Sequence, residues 1–260
     1  SALTDYVLKM KKKLDFHSVL FYDDAFMDAP LHIIKEFSEG WGKSVNIPFH
    51  ILGMHPNAYR KEKIEALIKV GLKRLRMGLQ SGSPRVRKEI FRRSYSNDKV
   101  VEITNDIKKT NLSLCDYDFI LNTPWETTDE RLEGLTLLSR MKPPFTVNLF
   151  NLTYFPGTPL YQRAFADRLI DTQYEPSKHF EPYLAPNDLI NLLYFIYMIT
   201  HLSESTINWF ISKKVFAYNI KNPRCIFKFI LFMKYFRTLF YRIKDRDYTN
   251  LPSVFSLFIK

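Results

Sequence analysis

Cysteine is almost absent: Cys115 and Cys225 are the only two, far apart in a chain of 260 residues. That excludes a disulfide scaffold, and no metal-type spacing links them, so a reducing, cytoplasmic location is the expectation. Glycine is scarce too, at eight residues, and there is no low-complexity tract and no repeat of fixed period. With 46% hydrophobic and 25% charged residues, this is the composition of a folded protein large enough for one sizeable domain and a smaller one. The N-terminus lacks an apolar signal core. The uncharged, mostly apolar run of residues 189–202 has 14 residues and includes Asn191 and His201. Crossing a bilayer takes about 20, so this run reads as a buried helix.

Acidic residues are missing from one region in particular. Residues 205–260 hold eleven Lys and Arg against Asp245 and Asp247, while the other 204 residues carry 27 bases and 25 acids. The net charge of +11 is therefore a property of the C-terminal quarter. It suits an anionic partner, or simply solvated lysines on a helical surface.

Apolar periodicity supplies the order of elements. Residues 3–14, 30–39, 60–70, 98–110 and 129–141 have helical spacing, and Asp28 is a candidate cap for the second. Residues 18–22, 46–52, 73–79, 112–121 and 145–153 are strand-like, with Gly71 placed for a left-handed helix end. Strand and helix alternate through short connections, which predicts an α/β fold with a parallel sheet. Periodicity leaves barrel and open sheet equally open. After Tyr161 the pattern changes. Residues 171–185 read as a linker, and 186–260 as a basic, aromatic-rich helical domain behind a first domain of residues 1–170.

Four motifs follow one another. KRLRMGLQSG (residues 73–82) is an apolar strand ending in Gln80, Ser81, Gly82 and Ser83. FYDDAF (21–26) lies before it, and DFILNTPWET (118–127) and LTYFPGTPLY (152–161) after it. In that order and at those intervals, the chain resembles the radical S-adenosylmethionine (SAM) enzymes over residues 1–165. It is most similar to the branch with an N-terminal cobalamin-binding domain, and next to the methylthiotransferases.

The resemblance implies a partial six-stranded (β/α) barrel, of which this chain contains strands two to six. It also implies S-adenosylmethionine, a [4Fe–4S] cluster and cobalamin in the intact enzyme, a 5′-deoxyadenosyl radical, and methyl transfer as the commonest outcome. The cluster needs three cysteine thiolates at tight spacing. These 260 residues have none at that spacing, so the chain reads as a fragment that binds no cluster and no cofactor tightly. On the same resemblance Asp23 and Asp24 meet the cofactor's ammonium, and Gln80, Ser81 and Gly82 its ribose and carboxylate. An amide both donates and accepts, and a glycine permits close approach. Arg93, in Arg93-Ser94-Tyr95-Ser96, is the candidate carboxylate clamp, with Arg92 as the surface alternative. Asp118, Ile120 and Asn122 alternate on one strand face, and Ile120 and Asn122 join the contact set. Asp24 could equally cap a helix, and the Gln80–Gly82 segment could be a plain turn. His50 and His55 are five residues apart and do not share a strand face, so no metal pair is expected.

The expected partners are the absent N-terminal domain and a small-molecule or peptide substrate. In the tail, Lys221, Arg224, Lys228 and Arg242 fall within about 60° on a helical wheel, among many bulky apolar residues. Peripheral membrane contact or stacked nucleotides would suit that mixture. A narrow polar stripe favours docking on another protein segment over nucleic acid. The rival readings are a tRNA-modifying methylthiotransferase relative and a non-enzymatic anion- or membrane-binding module.

Overall fold

A computed structural model describes residues 2–23, 25–176 and 189–200, together with Ser205, Phe232, Tyr235, Phe236, Leu239 and Phe240. Most of the expected helical C-terminal domain, and residues 177–185 of the expected linker, lie outside the described residues. Helix α1 (Ala2–Lys11) leads into β1 (Val19–Tyr22), and α2 (Leu31–Gly40) into β2 (Phe49–Met54). There follow α3 (Lys61–Lys69), β3 (Leu72–Gln80), α4 (Pro84–Glu89), α5 (Asn97–Lys108) and β4 (Leu114–Leu121). Helix α6 (Thr128–Arg140), β5 (Phe145–Asn151), α7 (Pro159–Ala166) and α8 (Leu189–Thr200) complete the elements among the described residues. No helix among the described residues is long and apolar enough to cross a membrane.

The five strands pair in chain order, every neighbour parallel. Local signals account for the boundaries. Gly71 ends α3 at φ +114°, a left-handed conformation costly for any residue with a Cβ. Ser83, Ser96 and Thr127 each cap a helix by accepting a backbone N–H, and Thr127 forms a reciprocal capping box with Glu130.

One local expectation is overturned. Asp28 does not cap α2: Pro30 holds that position, and the Asp28 carboxylate meets His55 Nε2 at 3.2 Å. Beyond the turn at Pro156 and Gly157, helix Pro159–Ala166 begins. The Thr158 hydroxyl accepts from the Tyr161 N–H, and Pro159 occupies the first turn, where its missing N–H costs nothing.

What separates barrel from open sheet is the character of the two faces. One face carries Phe49, Ile51, Leu75, Met77, Leu79, Cys115, Tyr117, Phe119, Phe145 and Val147, all buried in a single apolar cluster. Ile34 and Phe37 of α2, Ile64 and Leu67 of α3, Val100 and Ile103 of α5, and Leu135 and Leu138 of α6 belong to the same cluster. Helix α8 joins it as well, its Tyr197 ring stacked 6.3 Å from Phe145 and its Tyr194 ring 5.7 Å from Phe119. The opposite face presents Arg74, Arg76, Asp116, Asp118, Thr146 and Asn148. An open doubly wound sheet buries apolar residues on both faces, whereas a sheet curling into a barrel encloses one of them. The fold is a partial (β/α) barrel with a charged interior.

Candidate functional site

Because all the strands are parallel, their C-terminal ends share one edge, where such folds hold their ligands. Asp23 follows β1, Gln80 ends β3 and Asn122 follows β4, so the three polar ends lie along that edge. Two of them mark sharp departures from the sheet, with φ +69° at Gln80 and +60° at Asn122. Asparagine tolerates that region readily; for glutamine it is uncommon.

The enclosed face is layered. At the bottom, the Arg74 side chain donates to Asp116, which also accepts from the Thr146 hydroxyl. One layer up, Arg76 Nε donates to both Asp118 oxygens at 2.9 and 2.7 Å, and Asn148 Nδ2 donates to Asp118 at 2.9 Å. Burial pushes the Asp118 carboxyl above its usual range, and the Arg76 charge and the Asn148 and Arg76 hydrogen bonds oppose that shift. Above this layer opens a cleft of about 250 Å³ lined by Arg76, Gln80, Asp118, Ile120, Phe150, Asn151, Leu152, Thr153 and Phe155. Its outer wall belongs to a small second apolar cluster around Leu152, Tyr154 and Ala164, against which Ile120, Trp125 and Tyr174 pack.

The loops at this edge are tied to one another. Ser81 Oγ donates to Glu126 Oε1 at 2.6 Å, joining the end of β3 to the loop after β4. Burial raises the Glu126 carboxyl to about 7 against the pull of that hydrogen bond. Arg85 donates to both Glu130 oxygens, at 2.6 and 2.8 Å, and to the Trp125 carbonyl at 2.6 Å, which holds the Glu130 carboxyl down at about 2. Arg163 lies 4.3 Å from the centre of the Trp125 ring.

The Radical SAM superfamily profile matches residues 5–138. The chain belongs to the radical SAM superfamily. Coproporphyrinogen III oxidase (HemN) from Escherichia coli, described as a radical SAM enzyme, aligns over 80% of this chain and 44% of its own, at 14% identity and TM-score 0.51. Elp3 from the archaeon Methanocaldococcus infernus, with residues 1–46 deleted, aligns over 69% of this chain and 45% of its own, at 15% identity and TM-score 0.47. The chain thus spans less than half the length of either solved structure. No curated protein matches it significantly.

The superfamily implies S-adenosylmethionine and a [4Fe–4S] cluster, and the two fare differently against these residues. The cluster does not fit. Cys115 is wholly buried on the helix-covered face of β4, with burial raising its thiol pKa, and Cys225 lies outside the described residues. No group of three or more potential ligands gathers anywhere among the described residues. S-adenosylmethionine fits better, because the cleft joins apolar walls at Ile120, Leu152 and Phe155 to the amides of Gln80 and Asn151.

The sequence-derived candidates separate into groups. Gln80 and Ile120 line the cleft. Asp23 is exposed and closes its own turn, accepting from the Ala25 N–H at 2.8 Å, while Asp24 lies outside the described residues. Ser81 is buried on Glu126, and the room beside the Gly82 Cα is filled by the Gly134 backbone, so helix packing occupies the space read as ligand approach. Arg93 Nη1 donates to the Gly78 carbonyl at 3.1 Å, beside the Gln80 amide, and Arg92 is exposed. Asn122 turns to helix α8, its Oδ1 accepting from Asn191 Nδ2 at 2.8 Å. His50 is buried in β2, away from His55 in the loop beyond it.

Arg76, Phe150 and Asn151 were missed. For Arg76 the signal was present in KRLRMGLQ, where Arg74 and Arg76 alternate with buried Leu75 and Met77 as Asp116 and Asp118 do with Cys115 and Tyr117. Charges at period two on two neighbouring strands of a parallel sheet mark an enclosed polar face.

Proposed function

We propose that the cleft at the C-terminal edge holds S-adenosylmethionine in a radical SAM enzyme, its nucleoside against Ile120 and Leu152 and its ribose hydroxyls on Gln80. The supporting observation is that one cleft combines apolar walls with an amide and a charged floor. Once bound beside a cluster, the cofactor is the source of hydrogen-atom abstraction in this superfamily. The chain's own residues position it and exclude water. The Gln80 amide has room to lie against the strand because Gly78 lacks a side chain: a Cβ there would come within 2.6 Å of the Gln80 Nε2. On this reading Arg93, which donates to the Gly78 carbonyl beside it, grips the cofactor's carboxylate.

The cobalamin-binding branch and methyl transfer to an unactivated carbon form the finer reading. Support comes from the loop Asn122-Thr123-Pro124-Trp125, where the methylthiotransferase resemblance would call for glycines. On this reading the cluster ligands and the cobalamin come from an N-terminal segment outside these 260 residues.

Titration of the full chain with S-adenosylmethionine, followed by backbone amide NMR shifts, tests the cleft assignment. Weak binding with shifts centred on Gln80 and Ile120, abolished by Ile120→Asp, is expected. Shifts confined to another surface would overturn it. The branch is tested by expressing the chain with the residues encoded upstream: the purified protein should carry the visible absorbance of cobalamin.

A further inference from the structure

We infer that the floor of the cleft is a separate subsite for a monocarboxylate carried on a flat apolar body, with Arg76 as its anchor. Two nearly identical layers of the barrel interior differ in how far they are closed. Arg74 and Asp116 form the lower pair, 12% and 0% exposed, with Thr146 completing the acceptor side of the aspartate. This layer is closed. In the upper pair Arg76 and Asp118 are 24% and 16% exposed, and both line the cleft.

The way Arg76 is held decides what it can do. Asp118 engages only Nε, and neither Nη1 nor Nη2 makes a hydrogen bond among the described residues. The guanidinium lies over the Phe150 ring, 5.1 Å from its centre, and Phe150 also lines the cleft. Thus one edge of the guanidinium is fixed by a carboxylate, one face by an aromatic ring, and the Nη1 and Nη2 amino groups, with one parallel N–H each along the outer edge, are left over. Two parallel N–H groups match the two oxygens of a carboxylate, and a side chain already fixed on its other edge loses little freedom when it binds.

Charge selects between anions. Two guanidiniums stand near the cleft, Arg76 on its floor and Arg93 on the Gly78 carbonyl, against the one carboxylate of Asp118, a balance of one positive charge among the described residues. Arg93 has no acidic partner there, its side chain donating only to the Gly78 carbonyl. A monoanion neutralises that balance, whereas a phosphate dianion would overshoot it beside a carboxylate. Ile120, Phe150, Leu152 and Phe155 form the walls, which suit a planar apolar body. Gln80 ends β3 four residues beyond Arg76 and its amide lies beside Gly78, two residues beyond Arg76, so the floor adjoins the rim proposed for the nucleoside within one cleft.

The probes are phenylacetate and its neutral isostere phenylacetamide, titrated into the full chain while the Arg76 Nε–H signal is followed by NMR. Phenylacetate should shift that signal and bind at least tenfold more tightly than phenylacetamide. The single change Arg76→Gln strands Asp118 and risks misfolding. The double variant Arg76→Gln with Asp118→Asn removes both charges together, should remain folded, and should lose the preference for the anion. Equal binding of the two probes, or an undiminished preference in the folded double variant, overturns the proposal. So does competitive displacement of phenylacetate by S-adenosylmethionine, because the floor would then belong to the cofactor's own carboxylate. Phenylacetate binding as expected without any response to S-adenosylmethionine upholds the anion subsite and counts instead against the nucleoside reading.

Discussion

Replacing Gly82 by alanine tests the closest approach in the fold. A Cβ at this position would lie 2.9 Å from the Glu133 carbonyl carbon, and closer still to the Gly134 nitrogen and Cα. The Gly134 Cα would be only 2.1 Å away; ordinary carbon contacts are about 3.5–4.0 Å, so α6 would have to retreat by about 1.5 Å. It cannot do so freely. On the other side of Gly134 stands Tyr194 of α8, whose hydroxyl donates to the Arg131 carbonyl at 2.9 Å. Overpacking against an immobile backbone costs about 3 kcal/mol, the upper end of the usual range. The lost flexibility of the unfolded chain returns about 0.4–1 kcal/mol. Sterics therefore win, and the net expectation is a destabilisation of about 2 kcal/mol, read as a lower urea midpoint at unchanged slope.

Gly157→Ala separates steric from conformational cost. Gly157 has φ +84°, and a Cβ added there would meet nothing within 4 Å, so only the left-handed penalty of about 1 kcal/mol applies. Adding Tyr194→Phe to Gly82→Ala removes the far-side obstacle, and the pair should cost less than the sum of the two singles. A Gly82→Ala chain within about 0.5 kcal/mol of the parent would refute the close approach and with it the described seat of α6 on the β3 end.

Two further perturbations probe the charged groups. Glu126 has its carboxyl raised to about 7 from an ordinary 4.5, so the folded chain holds that proton more tightly than the unfolded one. Stability should then fall as pH rises from about 4.5 to about 7, by on the order of 3 kcal/mol, and Glu126→Gln should flatten that slope in denaturation midpoints taken across the range. Asp116→Asn leaves the Arg74 charge in the closed lower layer facing a neutral amide, and should cost about 3–5 kcal/mol. Asp116→Asn combined with Arg74→Met should recover most of that loss in thermal unfolding.

Much of the architecture was legible in the residues, because each signal acts over a few positions. Period two in residues 73–80 makes a strand whatever surrounds it, Gly71 ends a helix by its own conformational freedom, and Ser96 and Thr127 cap by reaching three residues along. Alternation of such segments implies parallel pairing, and parallel pairing puts Asp23, Gln80 and Asn122 on one edge. The motif order carried the superfamily for the same reason: intervals between strand ends are a property of the chain itself.

Only the tertiary structure could allot the polar side chains to partners. Ser81, Gly82 and Asn122 read as ligand contacts in isolation, but Glu126, Gly134 and Asn191 meet them across 45, 52 and 69 residues of chain. Arg76 and Arg74 look alike in the sequence, with the same charge at the same strand spacing. Which of them faces a ligand depends on how far up the barrel the walls close, and that is set by the packing of Phe150 and Leu152 at the edge. A side chain's valence is written in its residue type; whether that valence is already spent depends on neighbours that only folding brings within reach.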